Sequence, residues 1–311
     1  MHMPRAQEKK GAQIRMKMII RADDVGYSAV YDIGAFETIE KGVSTSFDVM
    51  LESPDTVGAL ERLRDYPWIS VGWHAHFWNR PVLEAREVPS LVIPETGRFR
   101  HDLRTGEEWD PEELRRECVA ELERCIDILG RVPDTFENGQ RGQSQFDRVM
   151  YGIAEEYGIA TGYSNRVDAP GKEPVYADEK WADRKIYIMD PGPAYEGVRT
   201  ESVTKLLEYD PVKYYTENRF CAEQFPEDAI LEQSWHPGYV DYYVYREGDY
   251  GPNAKYFTVC RVADAHALCS EELKEWIREN RVELINYRDA LYGTKEYQNH
   301  LRHIGSDLYM G

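Results

Sequence analysis

The feature that most constrains the fold is an alternation of short β-rich runs with longer helical patterns along the chain. Parallel strands need such helices, because a tight turn cannot join two consecutive parallel strands. Seven or eight strands in this alternation fit a closed barrel better than an open sheet, which remains the alternative. We therefore expect a seven-stranded or irregular β/α barrel. The predicted strands are residues 16–22, 44–51, 69–74, 134–138, 159–163, 185–189, 229–235 and 282–286.

The clearest helix is predicted for residues 110–130. Asp110 and Pro111 are typical of an N-cap followed by proline at the first helical position, and Gly130 is typical of a helix end. Apolar residues recur there at three- and four-residue spacing, so one face of the helix should cover the sheet. The other helical patterns lie at 29–41, 54–65, 145–157, 202–215 and 264–280.

The domain organisation follows from composition along the chain. No shift in composition marks a boundary, so we expect a polar, disordered tail at residues 1–15 and a single barrel domain at 16–311. Three segments without strong periodicity, at about 78–109, 164–184 and 238–262, are expected to be loop insertions. In a barrel such insertions follow strands and surround the mouth where binding sites are built.

Charge and hydropathy exclude several classes of partner. The 311 residues include 38 Lys and Arg against 56 Asp and Glu, a net charge of −18. That charge repels nucleic acid and anionic lipid, so we expect neither as a partner. The chain has no apolar run long enough for a membrane span and a polar start without the apolar centre of a secretion signal. We expect a cytoplasmic protein that forms a homodimer.

Two adjacent carboxylates, Asp23 and Asp24, stand at the end of the first predicted strand. The backbone turns where a strand ends, so neighbouring side chains there need not point to opposite faces. Two carboxylates in one cavity repel each other, and a divalent cation relieves that repulsion. We interpret one as a metal ligand and the other as a proton acceptor. The alternative is an exposed polar turn.

Two other strand ends carry imidazoles. His74 and His76 follow the third strand and share a face if the strand persists, while His236 precedes Pro237 and Gly238 after a late strand. Neutral imidazole is a preferred ligand for divalent ions, and histidine can also donate a proton near neutral pH. Carboxylates and imidazoles at three strand ends therefore predict metal-assisted hydrolysis of an amide or ester.

The same residues lie in stretches that resemble the YdjC-like carbohydrate deacetylases, a family that includes chito-oligosaccharide deacetylases. The resemblance implies a β/α barrel that uses a divalent metal ion, zinc or magnesium, to remove an N-acetyl group from an amino sugar or oligosaccharide. A weaker match covers 261–291. The matching stretches are ADDVG (22–26), GVSTSFDVML (42–51), VGWHAHF (71–77), VPSLVIPETGRF (88–99) and WHPGYVD (235–241).

The resemblance also implies roles for individual residues. By position, Asp23 is similar to the catalytic base of the family and His236 to its general acid. Asp24 and His74 are similar to two of its metal ligands. Three aromatic residues within these stretches are expected to bind the substrate: Trp73, Trp235 and Tyr239.

One motif of the family is absent. The family has a third ligand histidine after the long helix, but residues 133–145 read PDTFENGQRGQSQ, without histidine. We expect Glu137 to supply an oxygen in its place, because it lies on the strand from which the lost ligand came. His76 is the second choice, and water the third. The loss also leaves an alternative function, a carbohydrate-binding barrel with a degenerate metal site and no hydrolysis.

Overall fold

The computed structural model describes residues 16–106, 108–136, 144–166, 175–189, 208–247 and 254–311. For residues 221, 247 and 254–259 only the backbone is described. Within these ranges, no helix combines the length and the apolar character that crossing a bilayer requires.

The centre of the fold is a curled parallel sheet. Seven strands follow the order β6-β3-β2-β1-β9-β8-β7, and β10 pairs with the first residues of β1. A separate antiparallel pair, β4 and β5, lies in the segment after β3. The strands are β1 Lys17–Val25, β2 Ser46–Val49, β3 Ser70–Trp73, β4 Val92–Ile93, β5 Arg98–Phe99, β6 Thr135–Phe136, β7 Ser164–Asn165, β8 Ile186–Met189, β9 Ile230–Trp235 and β10 Glu283–Leu284.

The two ends of this strand order approach each other. An isolated parallel bridge joins Thr135 in β6 to Ala160, in the segment that leads into β7. The sheet therefore curls back on itself, and the predicted irregular β/α barrel is confirmed. Every predicted strand has its counterpart, although the fifth is displaced: the bridge lies at Ala160 and β7 itself at 164–165.

The helices cover the outside of the sheet. Four match their predicted positions closely. Of the predicted helix at 202–215, residues 202–207 lie outside the described residues, and a helix begins at Pro211. The prediction at 264–280 covers parts of two helices, and the first of them already begins at Ala254, within the segment 238–262 that was expected to be a loop. The break falls at Ser270, whose hydroxyl accepts a hydrogen bond from the backbone N–H of Leu273 and so caps a new helix. The helices are α1 Ala29–Glu40, α2 Thr56–Leu63, α3 Pro111–Leu129, α4 Gln145–Tyr157, α5 Pro211–Glu217, α6 Tyr242–Glu247, α7 Ala254–Cys269, α8 Glu271–Glu279, α9 Tyr287–Tyr292 and α10 Glu296–His303.

Helix α3 shows how the sequence pattern produces the packing. Asp110 accepts a hydrogen bond from the N–H of Glu112 at the start, and Gly130 ends the helix with a φ of 79°. Its apolar stripe is buried, and each leucine in it contributes roughly 1.5–3 kcal/mol when removed from water. The stripe consists of Leu114, Cys118, Leu122, Cys125 and Leu129.

Candidate active site

A bulge in β1 brings the two adjacent aspartates to one site. Ala22 pairs with Phe47 and Val25 with Val49, so β1 has one residue more than β2 over this interval. The extra residue breaks the alternation of faces. Asp24 has a φ of 60°, a left-handed conformation that is uncommon outside glycine and clusters at functional sites. Both carboxylates are buried beside histidines.

Asp24 meets two imidazoles from the segment after β3. Its Oδ1 lies 3.0 Å from His74 Nε2 and 3.1 Å from His76 Nε2, and the two Nε2 atoms are 2.6 Å apart. These three ligand atoms all lie within 4.8 Å of one another, and no other such group occurs among the residues that the structure describes. One carboxylate and two imidazoles are a donor set that binds divalent transition metals.

The protonation states also suit a cation. Burial raises the pKa of Asp24, but Arg261 and the bonds to the histidines outweigh it and hold that pKa well below its usual range. Burial and His74 lower the pKa of His76 to about 4. At neutral pH, Asp24 is therefore an anion and His76 a neutral imidazole with a lone pair to offer. The residues present thus fit a divalent ion.

Arg261 orients the other side of Asp24. Its Nη1 donates to Asp24 Oδ2 at 2.5 Å and to the Tyr31 hydroxyl at 3.1 Å. Because Arg261 in α7 occupies Oδ2, Oδ1 is left facing the histidines. Supporting contacts of this kind fix the direction of a metal ligand.

Asp23 is held by a second buried arginine. Arg21 Nε donates to Asp23 Oδ1 at 2.6 Å, and Arg21 Nη2 donates to Asp23 Oδ2 at 3.0 Å. The two side chains thus form a bidentate ion pair. Arg21 Nη1 also donates to Glu232 in β9 at 2.7 Å. Burial raises the pKa of Asp23, but Arg21, together with His74 and His236, more than compensates, so the net pKa is lowered. Asp23 is thus ionised and fixed in orientation.

Asp48, in β2, lies on the other side of Arg21. Its Oδ2 is 3.5 Å from Arg21 Nε, and the side chain is fully buried. Neither carboxylate oxygen accepts a hydrogen bond from the part of the chain that the structure describes. Burial raises the pKa of Asp48 to about 7, against the attraction of Arg21. A carboxyl group that is partly protonated at neutral pH therefore lies below the site.

His236 completes the group of predicted residues. Its Nε2 lies 4.0 Å from Asp23 Oδ2, and its backbone N–H donates to Asp264 at 3.2 Å. Burial lowers its pKa to about 4. Gly238, two residues later, is required by close packing, since an added Cβ would lie 2.1 Å from the Tyr31 ring. The backbone after His236 thus packs directly against α1.

The structure therefore brings together Asp23, Asp24, His74, His76 and His236. Glu137, which we expected to replace the missing ligand, lies outside the described residues.

Two of the three aromatic residues that were predicted to bind substrate lie in the core. Trp73 and Trp235 are fully buried, Trp73 against Phe136 and Trp235 against Tyr215, with ring centroids 5.1 and 4.8 Å apart. An indole without exposed surface offers no face to a ligand, which argues against the predicted role of both residues. Tyr239 is half-buried, and its hydroxyl donates to Glu37 in α1 at 2.5 Å.

Sequence reasoning missed both buried arginines. Arg21 had a local signal, because it precedes Asp23 by two positions and a strand places such residues on one face. Arg261 had none, since 237 positions separate it from Asp24.

Comparisons with known proteins agree with the fold. A carbohydrate deacetylase of Listeria monocytogenes serotype 4a is 26% identical over 282 residues, which cover 88% of this chain and all of the relative. One from Enterococcus faecalis is 26% identical over 280 residues, covering 87% of this chain and 97% of the relative. A crystal structure from Enterococcus faecalis V583, described as a candidate cellobiose-phosphate cleavage protein, superposes with a TM-score of 0.62 at 23% identity. That superposition covers 88% of this chain and 98% of the other.

A family model provides the assignment. The model for YdjC-like proteins matches residues 17–279, the segment from the first residue of β1 to the last residue of α8. This match includes all five residues that the site brings together. The chain belongs to the YdjC-like protein family.

Proposed function

We propose that the protein is a metal-dependent deacetylase that removes an N-acetyl group from an amino sugar or oligosaccharide. The observation that carries the proposal is the convergence of Asp24, His74 and His76 beside Asp23 and His236. The names of the relatives, carbohydrate deacetylases, support the reaction and the class of substrate.

Asp24, His74 and His76 would hold the metal ion. Their two nitrogens and one oxygen favour zinc over magnesium, because magnesium prefers oxygen ligands and a regular octahedron. A divalent ion bound there would polarise the acetamido carbonyl and so favour attack by water.

The protein side chains would move the protons. Asp23, kept ionised by Arg21, accepts a proton from the attacking water. His236 is neutral at rest, and its Nε2 lies 4.0 Å from Asp23 Oδ2. Asp23 passes the proton that it has taken from water to His236, and His236 delivers the same proton to the leaving nitrogen. No proton is therefore needed from solvent. Asp23 is buried and His236 is half-buried, so bulk water has limited access to this exchange.

Acetate release tests the proposal. Purified protein should release acetate from an N-acetylglucosamine disaccharide, lose that activity in EDTA, and regain it with zinc more than with magnesium. His303→Ala is a matched control, because His303 is exposed on α10 and outside the site. It should keep both metal and activity. A protein that binds the disaccharide without releasing acetate in the presence of zinc would support the non-catalytic alternative.

A further inference from the structure

The ring of Trp78 lies directly against the ring of His76, one of the candidate metal ligands. Phe77 has a φ of 57°, a left-handed conformation that bends the chain between His76 and Trp78. The rings of His76 and Trp78 consequently meet, with centroids 3.8 Å apart and planes at 46°. His76 Nε2 is in turn 3.1 Å from Asp24 Oδ1. Unlike Trp73 and Trp235, Trp78 keeps part of its surface exposed.

Two tyrosines extend this aromatic surface. Tyr27 meets Trp78 edge to face with ring centroids 5.8 Å apart, and it meets Tyr243 of α6 in the same way at 5.8 Å. Tyr27 is buried, whereas Trp78 and Tyr243 are only half-buried. The exposed aromatic surface is therefore supported from beneath by Tyr27.

The backbone of Trp78 is fixed on both sides. Its N–H donates to Glu52 at 3.4 Å, and its carbonyl accepts from Arg98 Nη2 at 2.7 Å. Further along, the buried carboxylate of Glu117 accepts from Val82 N at 2.5 Å and from Leu83 N at 3.0 Å. The segment that carries Trp78 is thus held in place before any ligand arrives, which reduces the entropy cost of binding.

We propose that Trp78, backed by Tyr27 and flanked by Tyr243, is a stacking surface for the pyranose ring of the substrate. A pyranose has an apolar face of C–H groups and a polar rim, so it fits an aromatic face whose edges remain in water. With its ring on Trp78, an N-acetylated sugar would present its acetamido group toward Asp24, His74 and His76. The inference rests on the proposed function for the identity of the ligand.

Binding to the metal-free protein tests this surface apart from catalysis. After EDTA treatment, the protein is titrated calorimetrically with the N-acetylglucosamine disaccharide. Trp78→Ala should raise Kd about tenfold, the loss expected from one good aromatic contact, and Trp78→Phe less than threefold. Trp68→Ala is the control, because Trp68 is also half-buried and stacked on an imidazole, that of His300 at 3.6 Å, and should leave Kd unchanged.

Two further measurements keep the test specific. Zinc content shows whether Trp78→Ala has disturbed His76, and circular dichroism shows whether the variant folds. If it does not fold, Tyr243→Ala takes its place, and a rise in Kd of about threefold is expected. With zinc restored, the loss in Trp78→Ala should be in KM, while kcat stays within about threefold.

The outcomes separate the two proposals. A wild-type Kd in Trp78→Ala or Tyr243→Ala, or a wild-type protein that does not bind the disaccharide, overturns the stacking surface. Acetate release with an unchanged KM in Trp78→Ala overturns it as well, and leaves the deacetylase proposal standing. Trp78-dependent binding without acetate release supports the stacking surface and refutes the deacetylase.

Discussion

Asp48 makes the stability of this protein depend on pH in a direction opposite to most aspartates. It is fully buried beside Arg21, and its pKa is raised from 3.8 to about 7. Between these two pH values the folded chain holds a proton that the unfolded chain has lost. Stability rises with pH only where the unfolded state binds more protons, so here it must fall as pH rises through this window. Asp48→Asn keeps the shape of the side chain and removes the titration.

The magnitude follows from the shift. About three pKa units at 1.36 kcal/mol each correspond to a total of roughly 4 kcal/mol between pH 4 and pH 7. An experiment that runs from pH 5.5 to pH 8.5 covers only the portion of this loss of stability that falls between pH 5.5 and pH 7. That portion is about 1.5 pKa units, or about 2 kcal/mol. The free energy of unfolding of Asp48→Asn should therefore gain about 2 kcal/mol relative to wild type across this range, and the difference should level off above pH 7.

Urea denaturation in EDTA at several pH values measures this difference without a contribution from bound metal. Asp127→Asn serves as the matched control, because Asp127 is exposed on α3. Its difference from wild type should be small and constant. A difference for Asp48→Asn that does not change with pH would mean that Asp48 is ionised in both states, and the argument from burial would fail.

Three other substitutions test the site. Asp23→Asn should keep its zinc content while turnover falls by about two to four orders of magnitude, and unchanged turnover would remove Asp23 from the mechanism. His74→Ala should lose bound zinc in metal analysis; full occupancy would refute its role as a ligand. Arg261→Lys keeps the charge but loses the orienting contact to Asp24, so the Kd for zinc should rise about tenfold, and a wild-type Kd would show that Asp24 needs no such support.

Much of the fold was predictable because hydrophobic periodicity and capping residues act locally. Helix α3 began and ended at its predicted proline and glycine signals. The prediction at 264–280 missed the cap at Ser270, because apolar spacing continues across the break while a single hydroxyl starts the new helix. The short β4–β5 pair has no alternation long enough to recognise.

The site was less predictable than the fold, since its geometry depends on contacts between distant residues. The two adjacent aspartates, Asp23 and Asp24, were recognisable in the sequence. The bulge that brings both to one site is a property of the register between β1 and β2. The left-handed conformation of Phe77 places Trp78, and not Trp73, against His76. This conformation could not be predicted, because phenylalanine rarely adopts it. Trp73 and Trp235 adjoin the candidate site residues His74 and His236 in sequence yet point into the core, because side chains alternate along a strand.

The pairing of β1 has a consequence for the order in which the chain can fold. One edge of β1 pairs with β9 from Lys17 to Ala22. The other edge pairs with β10 at Lys17 and Met18 and with β2 from Arg21 onward. During synthesis, β1 therefore lacks one of its pairing partners until residue 284 has been made. Contacts so distant in sequence slow folding, because the intervening loop has to close first. The aspartates carried by β1 are thus made well before the last strand that pairs with β1 exists.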